Sequence, residues 1–349
     1  MPQSNNQLHR AKELKNNEFY TFMDDIENEL SKYDLAQFES KIVYCNCDDP
    51  TWSNFFKFFI KWGQRLKIKE VHFTNYANGK RQFKQLTLFE LDDLKESAED
   101  DKKGTAHHWI YTPATNKIVK KELNGNGDFR SNECKEILCK CDIVVTNPPF
   151  SLFREFIDLI IVTYNKQFLI IGDINISKYR DCFNLIKTNK FWFGYTQVKK
   201  FINNELVKQK FGNKFWYTNL DVKYRHQPFV LHEQDLSQFC RYDNYDAIEV
   251  PQVKLIPDNY FEPMGVPITF LQKYCPEQFE ILGISEGNAI FELTNRGLSK
   301  EFVENYYKNG GTGSYNINHP ILGYYNKDGI ATIPFSRIII RRKQNELSN

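Results

Sequence analysis

The sequence predicts an α/β protein built on a doubly wound sheet. Short apolar runs rich in Val, Ile and Phe recur at 41–47, 69–76, 141–147 and 166–174. Segments with helical patterning separate these runs, and such alternation is typical of parallel strands joined by right-handed helical crossovers. At 349 residues the chain is long enough for one such domain and a further lobe.

Polar residues and prolines follow three of the predicted strands. Ligands of doubly wound sheets bind outside the carboxyl ends of the strands, so these positions are candidates for one shared binding site. They are Asp48, Asp49 and Pro50 after the first strand, Asn75 after the second, and Asn147, Pro148, Pro149 and Phe150 after the third.

The tetrapeptide Asn147-Pro148-Pro149-Phe150 suits methyl transfer to an exocyclic amine on a heteroaromatic ring. Such an amine is a poor nucleophile because its lone pair is delocalised into the ring. The Asn147 side-chain oxygen and the Pro148 carbonyl can each accept one N–H, which favours a pyramidal nitrogen, and Phe150 can stack on the base. Proline holds its carbonyl rigidly and has no competing N–H. The structural alternative is a turn that merely closes the strand; the flanking Asn and Phe favour the catalytic interpretation.

The methyl donor for this chemistry is expected to be S-adenosyl-L-methionine, with S-adenosylhomocysteine as the product. The contribution of the protein is mainly to place the amine, the methyl group and the leaving sulfur in line, so we expect neither a metal nor a general base. A base inside a duplex cannot reach such a pocket. The target nucleotide is therefore expected to be flipped out.

The net charge of +2 conceals a strongly basic segment. Residues 187–225 contain nine Lys or Arg against two acidic residues, an excess of +7. Aromatic residues are interleaved with these cations, as expected for contact with a phosphate backbone and exposed bases. The alternative is that the rings belong to core strands and the lysines to a solvated face. The candidate DNA contacts in this segment are Lys199, Lys200, Lys208 and Lys210.

Composition along the chain predicts a polar tail over 1–16, a catalytic domain over 17–220 and a second lobe over 221–349. The acidic stretch 90–104 predicts a solvated loop. The aromatic runs 190–196 and 213–220 predict two strands of a hairpin joined by a long basic loop. The lobe ends in a basic strand whose Arg337, Arg341 and Arg342 could be guanine readers, phosphate contacts or surface charge.

The eight cysteines lie within or beside apolar strand-like runs, which favours buried reduced thiols over a disulfide framework. Zinc is the alternative, because Cys134, Cys139 and Cys141 lie close together, but the paired C-x-x-C hooks and a matching His pair are missing.

The chain also has no secretory signal and no apolar run long enough to span a bilayer. These features predict a cytoplasmic protein with no membrane partner.

Several motifs together resemble the amino-methyltransferases of DNA, and more closely the adenine-specific EcoRI modification methylase family. The resemblance covers residues 17–343 and implies the S-adenosylmethionine-dependent methyltransferase fold, a mixed seven-stranded doubly wound sheet with a C-terminal target-recognition lobe. The segments that carry the resemblance, in order, are NEFYT (17–21), VYCNCDDPTWSNFFKFF (43–59), GDF (127–129), DIVVTNPPFSLFREFI (142–157), FLIIGDIN (168–175), FGNKFWYTNLD (211–221) and GVPITFLQKYCPEQFEILG (265–283).

The resemblance also implies roles for individual residues. The catalytic residues are Asn147, Pro148, Pro149 and Phe150. The cofactor-binding residues are Phe19, Tyr20 and Thr21 near the methionine moiety, Asp48, Asp49, Pro50 and Asn75 at the strand ends, and Asp128 and Phe129 at the adenine. Asp49 has an alternative role as a helix N-cap, which Ser53 could also fill.

Two features depart from the pattern of the family. The loop CDDPTWSNF contains no glycine, and the second strand ends in Thr74-Asn75-Tyr76 without the acid that usually binds ribose hydroxyls.

The predicted function is site-specific methylation of adenine in double-stranded DNA, either beside a cognate restriction endonuclease or as a solitary modifier. The alternatives are the same chemistry on RNA or on a protein glutamine, and a catalytically silent DNA-binding subunit.

Overall fold

The computed structural model describes six stretches of the chain, and the side chains within them except at 20, 202 and 208–211. The stretches are 20–51, 53–77, 105–202, 208–285, 297–319 and 321–344. The predicted tail 1–16, the predicted cofactor residue Phe19 and the predicted acidic loop 90–104 lie outside the described residues.

The described residues form two compact units. The first comprises the chain up to Ile174 together with Phe193–Leu220. The second comprises Asn175–Trp192 and the chain from Asp221 onward. The second unit thus includes the lobe predicted from Asp221 and also a segment that the sequence analysis assigned to the catalytic domain.

The first unit contains a mixed sheet of nine strands. Their bounds are β1 Tyr20–Thr21, β2 Ile42–Cys45, β3 Glu70–Thr74, β4 His107–Thr112, β5 Lys117–Glu122, β6 Ile143–Thr146, β7 Gln167–Asp173, β8 Trp192–Ile202 and β9 Lys208–Thr218. They lie in the order β1-β8-β9-β7-β6-β2-β3-β4-β5. The four strands predicted from the apolar runs, β7, β6, β2 and β3, are neighbours and pair in parallel.

The sequence located the parallel strands correctly because they are buried on both faces. All four residues of β6 are buried, which requires an uninterrupted apolar run. The predicted number of seven strands was wrong. Strand β1 has only two residues, and β5 has no fully buried residue, so neither leaves a strong pattern in the sequence.

Four α-helices described in the first unit connect or flank its strands, and a π-helix over Asp158–Thr163 follows the last of them. They are α1 Met23–Leu30, α2 Asn54–Trp62, α3 Asn132–Lys140 and α4 Phe153–Ile157. Helix α2 is capped by Ser53, whose Oγ accepts a hydrogen bond from the Phe55 N–H at 3.1 Å. Its buried face consists of Phe55, Phe56, Phe58 and Phe59. These rings anchor α2 against the sheet and fix the loop that enters it from β2.

The predicted long basic loop of the hairpin is mostly strand. Strands β8 and β9 are neighbours in the sheet and extend to Ile202 and from Lys208, and the connection 203–207 lies outside the described residues. The loop prediction was wrong because Lys199 and Lys200 interrupt the apolar alternation. In a β-sheet, backbone hydrogen bonds between neighbouring strands stabilise such a stretch regardless of its side chains, provided that the charged side chains face solvent.

The second unit contains a four-stranded sheet in the order β10-β11-β15-β12 and a hairpin of β13 and β14. The bounds are β10 Ile248–Glu249, β11 Met264–Pro267, β12 Phe279–Ile284, β13 Tyr324–Tyr325, β14 Ala331–Thr332 and β15 Arg337–Arg342, with helices α5 Arg180–Lys187 and α6 Lys300–Lys308. Strand β15 lies between β11 and β12, antiparallel to both, and its Ile338, Ile339 and Ile340 are fully buried. This central position makes β15 the core strand of the second unit.

All eight cysteines are free thiols, and five of them are buried. Burial raises the pKa of Cys45 well above its usual value and that of Cys141 to about 12, so both remain protonated and unreactive. Within the described stretches no three His, Cys, Asp or Glu side chains form a cluster able to hold a metal ion. None of the helices described there is long and apolar enough to cross a bilayer.

A histidine of the second unit gives its stability a pH dependence. His226 contacts Asp221 at 2.6 Å and Glu277 at 3.3 Å, and its pKa is raised above 6.5 by the hydrogen bond to Asp221 and then by that to Glu277. Because the folded pKa is the higher one, the stabilisation is fully present below pH 6.5 and is lost as the pH rises through the folded pKa. We expect the unfolding midpoint to fall over this range in the wild type and to fall less in His226→Gln.

The measurement is thermal unfolding of both proteins at a series of pH values that brackets the range from about 6 to 9. His319→Gln is the control, since His319 belongs to the same unit and its ring packs edge-on against Tyr315. Parallel pH profiles for the wild type and His226→Gln would contradict the assignment.

Candidate active site

The carboxyl ends of the central parallel strands meet at one edge of the sheet, and hydrogen bonds join them there. The Thr146 hydroxyl, at the end of β6, donates to Asp48 Oδ2 at 2.6 Å. The Asp48 N–H donates to the Thr74 carbonyl at the end of β3 at 3.1 Å. Three of the predicted site segments, those after β2, β3 and β6, are therefore brought together, as the topology of parallel strands requires.

The Asn147 tetrapeptide forms the turn between β6 and α4. Pro149 is extended, with φ −62° and ψ 120°, and its carbonyl accepts the Leu152 N–H at 3.0 Å. That carbonyl is therefore committed to the start of the helical turn, and the acceptor predicted from the sequence is the carbonyl of Pro148. The Asn147 Oδ1 is shielded from bulk solvent. In such a site a hydrogen-bond acceptor is stronger than it is in water.

Phe150 is held by two neighbours that the sequence analysis did not assign to the site. The Lys214 Nζ lies 4.0 Å from the centroid of the Phe150 ring. The same ammonium forms an ion pair with Asp173 Oδ2 at 2.9 Å, and the Lys214 side chain is only 9% exposed. Phe201 meets the Phe150 ring edge-on, with centroids 6.4 Å apart. A ring fixed by a cation and by a second ring presents a defined face.

The signal for Lys214 and for its ion-pair partner Asp173 was present but weak in the sequence. Asp173 ends β7, the fourth predicted strand, and so it lies at the same edge as the other site residues. Lys214 contributed to the excess of positive charge but carried no feature that separated it from its neighbours. Asn213 also donates to Asp173 Oδ2, so β9 supplies two donors to one carboxylate.

Thr21, predicted to lie near the methionine moiety of the cofactor, is placed beside these elements by strand pairing. It lies opposite Phe201 in the β1–β8 pair, and its carbonyl accepts a hydrogen bond from Asn54 Nδ2 at 2.8 Å. The Thr21 hydroxyl is buried and has no hydrogen-bond partner among the described residues. An unsatisfied buried hydroxyl is costly, so it fits a site that a polar ligand completes. The side chain of Tyr20 lies outside the described residues.

The loop after β2 is built by side-chain hydrogen bonds rather than by glycines. Asp48 Oδ1 accepts from the Ser53 hydroxyl at 2.8 Å, so its two oxygens join the β2 loop to α2 and to β6. Asp49 Oδ1 accepts from both the N–H and the hydroxyl of Thr51. The N-cap of α2 is Ser53, and Asp49 shapes the turn before it. Pro50 lies buried in the same turn.

The segment containing Asp128 lies against the end of β3. Gly127 has a φ of +74°, and a Cβ at this position would be 2.0 Å from the Asn75 carbonyl oxygen, so only glycine allows the approach. The Asp128 carboxylate binds Arg130 through both oxygens, at 2.9 and 2.7 Å, and this lowers the Asp128 pKa. Phe129 is buried and packs edge-on against Phe156 in the core.

The cations predicted to contact DNA fall into two groups. Lys199 and Lys200 are exposed on β8, and the side chains of Lys208 and Lys210 lie outside the described residues. The three arginines of β15 all form ion pairs: Arg337 with Glu249, Arg341 with Glu280 and Arg342 with Asp258. The Arg337 and Arg342 side chains are only 12% and 14% exposed, whereas that of Arg341 is 45% exposed.

Two acceptors and an aromatic face at the end of a central strand can hold an amine attached to a ring for attack on a methyl group. Together with the mixed sheet, they are the arrangement expected of a methyltransferase. Comparison of the whole chain with known families identifies the protein more specifically than its fold and site do. A family model described as the adenine-specific methyltransferase EcoRI matches residues 7–343. The chain belongs to that family, which confirms the resemblance inferred from its motifs.

Several curated proteins are similar over most of their length. The type II methyltransferase M.EcoRI of Escherichia coli is 40% identical over 326 residues, which cover 86% of this chain and 95% of that protein. The type II methyltransferase M.MgeORF184P of Mycoplasma genitalium is 39% identical over 298 residues, covering 79% and 85%. M.MpnI of Mycoplasma pneumoniae, also a type II methyltransferase, is 35% identical over 299 residues, covering 79% and 84%. No solved structure matches the chain.

Proposed function

We propose that this protein is a site-specific DNA methyltransferase that transfers a methyl group from S-adenosylmethionine to the N6 amine of an adenine flipped out of duplex DNA. The observation that supports this most directly is the Asn147 tetrapeptide at the end of β6, with the Phe150 ring held by Lys214 and Phe201. The family match, whose description names adenine, supports the choice of base.

In this mechanism the protein positions and polarises the amine. Asn147 Oδ1 and the Pro148 carbonyl accept its two N–H groups, and the lone pair of the nitrogen is thereby directed out of the plane of the base. Phe150 stacks on the base, and Lys214, anchored by Asp173, keeps the ring from rotating away. When bound, S-adenosylmethionine supplies an electrophilic methyl group on a sulfonium sulfur. The contribution of the chain is to hold the amine in line with that group.

The residues at the sheet edge fit a bound methyl donor, though with different roles than the family pattern implies. Thr21 offers a buried hydroxyl that lacks a protein partner among the described residues. Asn75, buried where the family has an acid, offers an amide. We assign Asp48 and Asp49 to shaping the cofactor loop, because their carboxylates accept hydrogen bonds from Ser53, Thr146 and Thr51.

The decisive experiment supplies S-adenosylmethionine with a labelled methyl group and offers duplex DNA, RNA and protein as acceptors. The proposal expects label in N6-methyladenine of DNA. Label confined to RNA or to a protein glutamine would select the alternative substrates. Absence of cofactor binding, with DNA binding retained, would support a silent DNA-binding subunit instead, since such a subunit has no reason to hold the cofactor. Methylation-sensitive sequencing of host DNA would then identify the recognition sequence and show whether it coincides with the site of a cognate restriction endonuclease.

The β8–β9 hairpin is proposed to contact the DNA backbone through exposed lysines. We therefore expect Lys199→Gln and Lys200→Gln to weaken DNA binding and to reduce the slope of log K against log salt by about 1 for each lysine that contacts a phosphate. The measurement is a salt titration of DNA affinity. Lys208 and Lys210 belong to the same proposed set, whereas we assign Arg337 and Arg342 to holding β15 because their side chains are mostly buried in ion pairs.

Lys117→Gln is the matched control for this titration. Lys117 is an exposed lysine of the same unit, but it lies on β5, at the end of the sheet opposite to β8. An unchanged salt slope in Lys199→Gln and Lys200→Gln, or an equal change in Lys117→Gln, would show that these lysines do not form the backbone contact.

A further inference from the structure

Arg130 lies in the loop between β5 and α3, directly after Asp128 and Phe129. The resemblance to the family implies that these two residues meet the adenine of the cofactor. The loop is fixed just beyond the carboxyl end of β3, where the Ala77 N–H donates to the Asn126 carbonyl at 2.9 Å. Arg130 is therefore attached to the edge of the sheet at which ligands of this fold bind.

The Arg130 guanidinium holds the Asp128 carboxylate in one orientation. Its Nε donates to Asp128 Oδ1 at 2.9 Å and its Nη2 donates to Oδ2 at 2.7 Å, a two-point contact that fixes the plane of the carboxylate. The Arg130 backbone N–H also donates to Oδ1, at 2.9 Å. Among the described residues Oδ1 thus accepts two hydrogen bonds and Oδ2 only one, so Oδ2 keeps an acceptor position for a further donor.

Two contacts join this loop to α4, the helix that follows the tetrapeptide. The Arg130 Nη1 donates to Glu155 Oε2 at 2.9 Å. The neighbouring residues, Phe129 and Phe156, pack edge-on with ring centroids 5.2 Å apart. The guanidinium also lies 5.6 Å from the centroid of the Phe129 ring. The orientation of Asp128 is therefore set from α4 as well as from its own loop.

Stability alone does not account for this arrangement. The side chains of Arg130, Asp128 and Glu155 are 45%, 22% and 57% exposed, and ion pairs in contact with solvent contribute little to folding. The contacts use all three guanidinium nitrogens, which is a geometric task that lysine cannot perform. A carboxylate that is oriented before a ligand arrives binds it without the entropic cost of being ordered.

We propose that Arg130 is a positioning residue that, anchored by Glu155, orients the Asp128 carboxylate so that its Oδ2 accepts a hydrogen bond from the exocyclic amine of the cofactor adenine. The inference rests on the proposed function and adds to it the residue that sets the specificity of the donor site for an aminopurine. A purine with a carbonyl oxygen in place of the amine cannot donate to Oδ2, so the site should discriminate against it.

The test measures equilibrium binding of two probes by calorimetry. They are S-adenosylhomocysteine and S-inosylhomocysteine, in which an oxygen replaces the amine. We expect the wild type to prefer the adenosyl probe. Arg130→Gln should reduce the affinity for the adenosyl probe roughly 10-fold and leave that for the inosyl probe nearly unchanged, because one hydrogen bond to a charged acceptor is lost. Arg130→Lys should behave like Arg130→Gln, because an ammonium cannot form the two-point contact. Glu155→Met should reduce the preference to a smaller extent.

Arg65→Gln is the matched control. Arg65 is exposed in the same unit, and its guanidinium lies 5.5 Å from the centroid of the Trp62 ring, an environment similar to that of Arg130 over Phe129. Arg65 differs in having no carboxylate partner among the described residues. Arg65→Gln should therefore keep the affinities of the wild type for both probes.

Three results would overturn the role of Arg130: a wild type without a preference, a full preference retained in Arg130→Gln or Arg130→Lys, and an equal loss of both probes in Arg130→Gln, which would indicate a merely structural residue. An unchanged preference in Glu155→Met would overturn the anchoring by α4. In each case the wild type would still bind the adenosyl probe and methylate DNA. A wild type that did neither would overturn the proposed function itself and this role with it.

Discussion

Asn147→Ala is expected to bind S-adenosylmethionine as the wild type does and to lose roughly 100-fold to 1,000-fold in the rate of methyl transfer. The Asn147 oxygen accepts a hydrogen bond that strengthens as the amine becomes pyramidal, so its loss raises the barrier more than it weakens binding of the ground state. The measurement pairs equilibrium binding of the cofactor with single-turnover methylation of a duplex that contains the target site.

Ser151→Ala is the control for this prediction, because Ser151 is exposed in the same turn and is assigned no acceptor role. It should leave both the cofactor affinity and the transfer rate near the wild-type values. If Asn147→Ala instead lost cofactor affinity and turnover to the same extent, Asn147 would be a structural residue of the β6 turn, and the proposed mechanism would be wrong.

Arg337→Met is expected to destabilise the second unit by about 3–5 kcal/mol, the range found when one partner of a buried ion pair is removed. The Glu249 carboxylate would remain in the interior without its cation, since its side chain is 4% exposed. The Tyr242 hydroxyl, which also donates to Glu249, cannot neutralise that charge. The measurement is denaturant unfolding followed by a probe in the second unit. The double variant Arg337→Met with Glu249→Leu should recover part of the loss because it removes both charges.

Arg341→Met is the matched control on the same strand. The Arg341–Glu280 pair is about half exposed on both sides, so its removal should change stability by less than about 1 kcal/mol. The prediction for Arg337 would be contradicted by a stable Arg337→Met protein that bound DNA more weakly and with a smaller salt slope. That result would return Arg337 to the DNA contacts considered in the sequence analysis.

The parts of the site that could be predicted from the sequence are those carried by contiguous residues. The Asn147 tetrapeptide is one uninterrupted segment after an apolar run, and its position at the carboxyl end of β6 follows from the alternation of strands and helices. The loops after β2 and β3 were located for the same reason. Their detailed roles were harder to predict, because a carboxylate such as Asp48 can bind a ligand or join two strands, and the sequence does not distinguish these roles.

The roles of the charged residues depended on contacts between distant parts of the chain. Lys214 and Asp173 are 41 residues apart and meet only because β9 pairs antiparallel with β7. Arg337 and Glu249 are 88 residues apart, and the three arginines of β15 looked equivalent in the sequence although two have mostly buried side chains. The extent of the β8–β9 hairpin was also misjudged, since backbone pairing rather than side-chain pattern holds its lysine-rich part.

By itself, the sequence determined the parallel core of the sheet and the identity of the tetrapeptide at its edge, because burial on both faces and a contiguous motif are local properties of the chain. Only the tertiary structure decided which cations lie in the interior and which ring Lys214 holds. The reason is physical: the energy of a charge or a ring depends on its neighbours and on its access to water, and residues far apart in the chain provide both.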